Sequence, residues 1–103
     1  VVEGKEAQDI MRRILKETDA KIAVSPYMHH YVVEALILCD MKKEALEYVT
    51  SYWGGMVDRG ADTYWEVFVA DDFYASPYRN PVMNSCCHAW SCSASYFIRK
   101  YFI

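Results

Sequence analysis

The stretch SPYMHHYVVEALILCDMKKEALEYVTSYW, from Ser25 to Trp53, decides the fold. Ser25-Pro26 marks a helix start. A serine oxygen can accept from the free N–H groups of a first turn, and proline suits the first helical position, where its missing N–H costs nothing. The helix it opens spans residues 26–39 and carries Tyr27, Met28, Tyr31, Val32, Val33, Ala35, Leu36, Ile37 and Leu38. It is apolar nearly all round, and such a helix belongs inside something larger. Asp40 is placed to cap a second helix over 41–53. Ala45, Leu46, Tyr48, Val49, Tyr52 and Trp53 form its apolar side; Lys42, Lys43, Glu44 and Glu47 form its wet one. The connection is so short that the two helices are antiparallel neighbours, an αα-hairpin.

Upstream, Ala7, Ile10, Met11, Ile14 and Leu15 recur at the spacing of one apolar stripe and predict a helix over 3–18. Residues 20–24 read as an irregular or extended link. Downstream, Gly54-Gly55 ends the second hairpin helix or its regular part, with one more turn over 56–59 and a stop at Gly60. Residues 63–68 are bulky but too few for a helix. Residues 70–85 show no period and carry Asp71, Asp72, Pro77, Asn80, Pro81 and Asn84, so they form a loop. A structureless loop of that length in a compact domain is usually functional. A last helix is predicted over 87–102, where Trp90, Ala94, Phe97, Ile98 and Tyr101 share a face. The fold class is all-α, built from helical hairpins.

The 103 residues suffice for one small domain. A hydrophobic content of 53% excludes a disordered tail. Nine Tyr, four Phe and three Trp exceed what a bundle of this size can hide. The chain therefore reads as a piece of a larger helical domain, or as an oligomer that completes its core with copies of itself. A formal net charge of −3 argues against a nucleic-acid partner, which needs a basic face. No apolar run approaches the roughly 20 residues that span a bilayer, and no signal-peptide pattern follows Val1. Cys86, Cys87 and Cys92 crowd together while Cys39 stands apart, a poor disulfide framework, so reduced and partly buried thiols are expected.

Three places could carry chemistry. Glu66 follows Trp65 at the mouth of the long loop; aromatic flanks desolvate a carboxylate and raise its pKa, as suits a general acid or base, although an exposed loop Glu is the commoner case. Cys86-Cys87-His88 at the start of the last helix suggests a thiol nucleophile, but neighbours on a helix point apart, and a packed Cys pair beside a capping His is the simpler reading. His29-His30 splay for the same reason, so one buried, hydrogen-bonded His and one at the rim are expected. H-E-x-x-H and paired C-x-x-C are both absent, so neither a metal nor a cofactor is expected. Aromatics around Glu66 and His88 also suit a sugar, whose C–H faces stack on rings and whose hydroxyls need carboxylate and His partners.

The run Tyr52-Trp53-Gly54-Gly55-Met56-Val57-Asp58-Arg59-Gly60-Ala61-Asp62-Thr63-Tyr64-Trp65-Glu66, with Ser85-Cys86-Cys87-His88-Ala89-Trp90-Ser91 about twenty residues on, resembles the C-terminal part of the catalytic domain of bacterial α-L-rhamnosidases, glycoside hydrolase family 78. Ser25-Pro26-Tyr27, Glu34-Ala35-Leu36 and Glu44-Ala45-Leu46 are similar to the hairpin preceding that run. The resemblance implies an (α/α)6 toroid of which residues 1–103 form one partial domain, and an inverting mechanism. It implies that Glu66 is the general base, that His88 contacts the sugar, and that Trp65 and, less strongly, Trp90 wall the site. The family's general acid belongs to an earlier acidic motif with no match here, so the chain alone should be inactive. The expected partners are a rhamnose-containing glycoside and either the rest of the domain or a second copy. A non-catalytic sugar-binding module and a self-associating structural module are the rival readings; a thiol or metal enzyme comes last.

Overall fold

The computed structural model describes residues 2–17, 25–72 and 74–103. They form four α-helices: α1 (Gly4–Glu17), α2 (Pro26–Leu38), α3 (Lys42–Asp58) and the short α4 (Ser93–Phe97). Two 3-10 turns, Pro81–Met83 and Ala89–Ser91, precede α4, and a π-helical turn, Ile98–Phe102, continues it. No strand occurs among the described residues. The expected link at 20–24 lies outside them.

The start of α2 forms as its sequence predicts. The Ser25 hydroxyl oxygen accepts from the Tyr27 N–H at 3.3 Å, and Pro26 opens the helix. Pro26, His29, Val33 and Leu36 are buried along one face. They meet the stripe of Ala45, Val49, Trp53 and Met56 on α3. The other faces of α2, apolar in sequence, leave Tyr27, Met28, Tyr31 and Leu38 exposed. Gln8 on α1 donates to the carbonyl of Cys39 at 2.8 Å, and Met11 is buried in the shared core.

Asp40 does not cap α3. Its φ of 58° is left-handed, its N–H donates to the Ile37 carbonyl at 3.1 Å, and the Met41 N–H donates to Leu36 at 2.9 Å. That pair of bonds is a Schellman closure of α2, in which Asp is tolerated because a short polar side chain suits the left-handed region. The buried Met41 precedes α3 with no side-chain cap. The same closure ends α3: Gly60, at φ 93°, donates to Val57 and Ala61 donates to Met56. Gly60 is thus the stop that its sequence position indicates.

Gly54-Gly55 does not end α3, which runs on to Asp58. The second glycine has a packing reason. A Cβ at Gly55 would stand 3.0 Å from two ring carbons of the buried Phe68, whereas one at Gly54 would meet open space. The last helix begins at Ser93 rather than Cys87. The Cys86 carbonyl is bonded to Thr63 and the His88 N–H to Tyr64, so neither is available to a helix. Phe97 is fully buried, and the Trp53 indole N–H donates to the Ser91 carbonyl at 2.8 Å, locking α3 to the turn before α4.

The histidines sit as expected. His29 is buried, bonded to the Tyr48 hydroxyl and stacked on Tyr52 at 3.8 Å. His30 lies at the rim, 3.0 Å from the Ser93 hydroxyl. Burial pushes the Tyr48 phenol up to about 12. All four cysteines are free, but only Cys39 is partly buried; Cys86, Cys87 and Cys92 are exposed, so the expected packed Cys pair is absent. Among the described residues no helix is long and apolar enough to cross a membrane, and no three His, Cys, Asp or Glu side chains are grouped to hold a metal ion.

The two glycines should respond oppositely to a methyl group. Gly54→Ala raises stability by about 0.5–1 kcal/mol, the helix-propensity gain of alanine. Gly55→Ala loses that gain by displacing Phe68. Urea midpoints of the two variants against the parent sequence check the difference.

Candidate active site

Two irregular segments build the site. Residues 63–68 follow the closure of α3, and residues 84–88 follow the long loop. They run antiparallel: the Glu66 N–H donates to the Ser85 carbonyl at 2.9 Å, and the His88 N–H donates to the Tyr64 carbonyl at 2.8 Å. The Thr63 hydroxyl adds a bond to the Cys86 carbonyl. This pairing brings two motifs that are far apart in sequence to one place, and it keeps Cys86, Cys87 and His88 out of the helix.

Glu66 is buried, with 5% of its surface exposed. Its two carboxylate oxygens are held separately. Oε1 accepts from the Tyr78 hydroxyl, and Oε2 accepts from the Ser85 N–H at 2.8 Å. The Tyr78 hydroxyl, then the Ser85 N–H, hold the carboxyl below its ordinary range, and the charge of nearby His88 acts the same way; burial opposes them and loses. This corrects the expectation of a raised pKa. Aromatic flanks desolvate the group, but donors aimed at the charged form outweigh that penalty.

His88 is half-buried and packs against Trp90, with ring centroids 4.6 Å apart. Trp90 is half-exposed and lies 5.0 Å from the Tyr27 ring on α2. His88, Trp90 and Tyr27 therefore form one connected group, and His88 is near enough to Glu66 to act on it electrostatically. Trp65 is set apart from it: with Phe68, Val69, Val82 and Asn84 it lines an apolar cavity of about 280 Å³ under the loop, which Glu66 does not line. The sequence reading did not single out Tyr78 or Ser85. The loop's length was the available signal, and nothing local separates Tyr78 from Tyr74 in it.

A solved structure of a rhamnosidase from Klebsiella oxytoca with rhamnose bound is 43% identical to this chain over 93% of its length, with a TM-score of 0.85. The chain is a rhamnosidase-like segment. It spans 19% of the length of that protein. No family model matches it, and no curated protein does. The all-helical expectation is borne out, and the hairpin-based rhamnosidase-like segment is consistent with part of a helical toroid.

The ionisation of Glu66 is linked to the stability of the rhamnosidase-like segment. Its folded carboxyl ionises at lower pH than the unfolded one, so the stabilisation is complete above the ordinary value of 4.5 and disappears as pH falls through the lowered folded value. As pH falls below the ordinary value of 4.5 the urea midpoint should fall further for the parent sequence than for Glu66→Gln, which has no carboxyl to protonate there.

Proposed function

We propose that the chain is one partial domain of an inverting rhamnosidase and carries its general base, Glu66. The observation that carries this reading is the Glu66 carboxylate itself: buried, held ionised by two donors, and set beside His88 in a chain 43% identical to a rhamnosidase with rhamnose bound. A general base must be unprotonated at the working pH, and the two donors keep the Glu66 carboxylate ionised and held in place, at some cost in base strength. Each oxygen accepts one hydrogen bond, and a carboxylate offers about four lone-pair directions, so a lone pair remains for a water.

In the proposed reaction that water attacks the anomeric carbon of a terminal α-L-rhamnose. Glu66 takes the proton the water loses as the new C–O bond forms. The leaving oxygen takes a proton from a carboxylic acid supplied by the rest of the protein. Inversion places the two carboxyls roughly 6.5–9.5 Å apart, with the water between Glu66 and the sugar. His88 hydrogen-bonds a sugar hydroxyl and Trp90 offers a stacking face. Trp65 lies on the loop cavity, apart from Glu66, and is given no contact with the sugar. The remainder of the domain covers apolar groups such as Leu38 and Val57, which are 80% and 65% exposed here.

The test uses the longer protein that contains this chain and an aryl α-L-rhamnoside. Glu66→Gln keeps shape and removes the base, and should lower kcat by about 10²–10⁴-fold with the fold intact by circular dichroism. Equal turnover by both proteins would remove Glu66 from the base role. Rhamnose binding without turnover in both would favour the sugar-binding module instead, and a tight dimer of the chain with no response to sugar would favour the structural one.

A further inference from the structure

We propose that Tyr78, through the hydrogen bond from its hydroxyl to Oε1 of Glu66, is the positioning residue that sets the orientation and ionisation of the candidate base. The inference rests on the reading of Glu66 as that base. A glutamate side chain has three torsions, and the Ser85 N–H on Oε2 leaves the carboxylate free to rotate about that single contact. The Tyr78 hydroxyl on the other oxygen removes this freedom, because two donors on two oxygens fix the plane of the group.

The placement of Tyr78 argues for a polar role rather than a packing one. Its side chain is 53% exposed, so burial of the ring is a minor reason for its position. Its hydroxyl reaches a carboxylate that is itself buried. The turn that presents it is held by its own bonds. The Tyr78 N–H donates to the Ser76 hydroxyl at 3.2 Å, and that hydroxyl donates to the Asn80 carbonyl at 3.0 Å. Arg79 completes the turn at φ 58°, in the left-handed region. Further along, the Asn84 amide donates to the Ala75 carbonyl at 2.8 Å, tying the end of the loop to its middle. Tyr78 is thus delivered by a built turn, and the loop that sequence patterning left without a role acquires one.

The titratable groups acting on Glu66 are Tyr78 from the loop and His88 from the segment that follows it. The contact with Glu66 raises the Tyr78 phenol above its ordinary value of 10.0, so Tyr78 remains a neutral donor at the pH of turnover. Loss of the hydroxyl removes a donor that favours the charged carboxylate, so the Glu66 pKa must rise. The hydrogen bonds of Tyr78 run to Glu66 and Ser76, and the ring contacts of His88 and Trp90 are with other residues, so loss of the Tyr78 hydroxyl should act on kcat rather than on KM.

The experiment compares Tyr78→Phe and Glu66→Gln with the unaltered longer protein. It combines pH profiles of aryl α-L-rhamnoside hydrolysis with a carbon-13 NMR titration of the glutamate carboxyls, in which the Glu66 signal is identified by its loss in Glu66→Gln. Tyr78→Phe should move the acid limb of kcat/KM, and the Glu66 titration with it, upward in pH, because a donor to the charged carboxylate is lost. Its plateau kcat should fall about three- to tenfold, with KM within about twofold of the parent, because orientation is lost while the sugar contacts remain. An unmoved Glu66 titration in Tyr78→Phe would overturn the proposal even where Glu66→Gln is inactive. Full turnover by Glu66→Gln would overturn the base reading, and the positioning role with it, whatever the titration shows.

Discussion

The reciprocal bonds between Glu66 and Ser85 are what the site depends on. One is main chain to main chain and fixes the register of two irregular segments. The other runs from the same serine's N–H to the Glu66 carboxylate and holds a buried charge. A carboxylate removed from water without donors is strongly disfavoured and takes up a proton instead. The register that brings Ser85 to Glu66 also brings His88 to Tyr64, and through His88 it brings in Trp90 and Tyr27. A slip of one residue would turn the carboxylate away from its donors.

The helical hairpin serves that pairing as a platform. Two Schellman closures, at Asp40 and at Gly60, end α2 and α3 with their last carbonyls satisfied and turn the chain abruptly. The second aims residues 63–68 back along α3, where Phe68 settles against Gly55 and accepts a bond from the Tyr52 hydroxyl through its carbonyl. The Trp53 indole reaches across to Ser91 and fixes the other segment to the same helix. Both halves of the site are thereby referred to α3, so they hold their spacing without a sheet around them.

Much of the fold is legible in the sequence. The stripe of Met11 and Ile14, the Ser25-Pro26 start and the Gly60 stop each rest on interactions within a turn or two, which a local pattern records. Asp40, Gly54-Gly55 and the onset of α4 read differently for a common reason. Asp40 takes the left-handed closing position of α2 instead of a cap, and the residue after it, Met41, is buried in the core. The helix survives two glycines because burial of its own Val49, Trp53 and Met56, and the packing of Phe68 against Gly55, outweigh their poor propensity. Helical pattern at 87–92 gives way to bonds with residues 63–64. Of the candidate site, Glu66 and His88 carry a motif and are legible through it. Tyr78 carries none, because its partner lies 12 residues away across an aperiodic loop.

By itself the sequence determined where the first three helices lie, which of their faces are apolar, that α2 and α3 form a hairpin, and which residues resemble a rhamnosidase site. Those properties follow from the order and spacing of side chains along the chain. Tertiary structure alone decided the ionisation of Glu66. Its aromatic neighbours in sequence argue for a raised pKa, while the donors that lower it come from positions 12 and 19 residues on. A pKa is set by what surrounds the group in space, and a residue's neighbours in space are fixed only when the chain has folded.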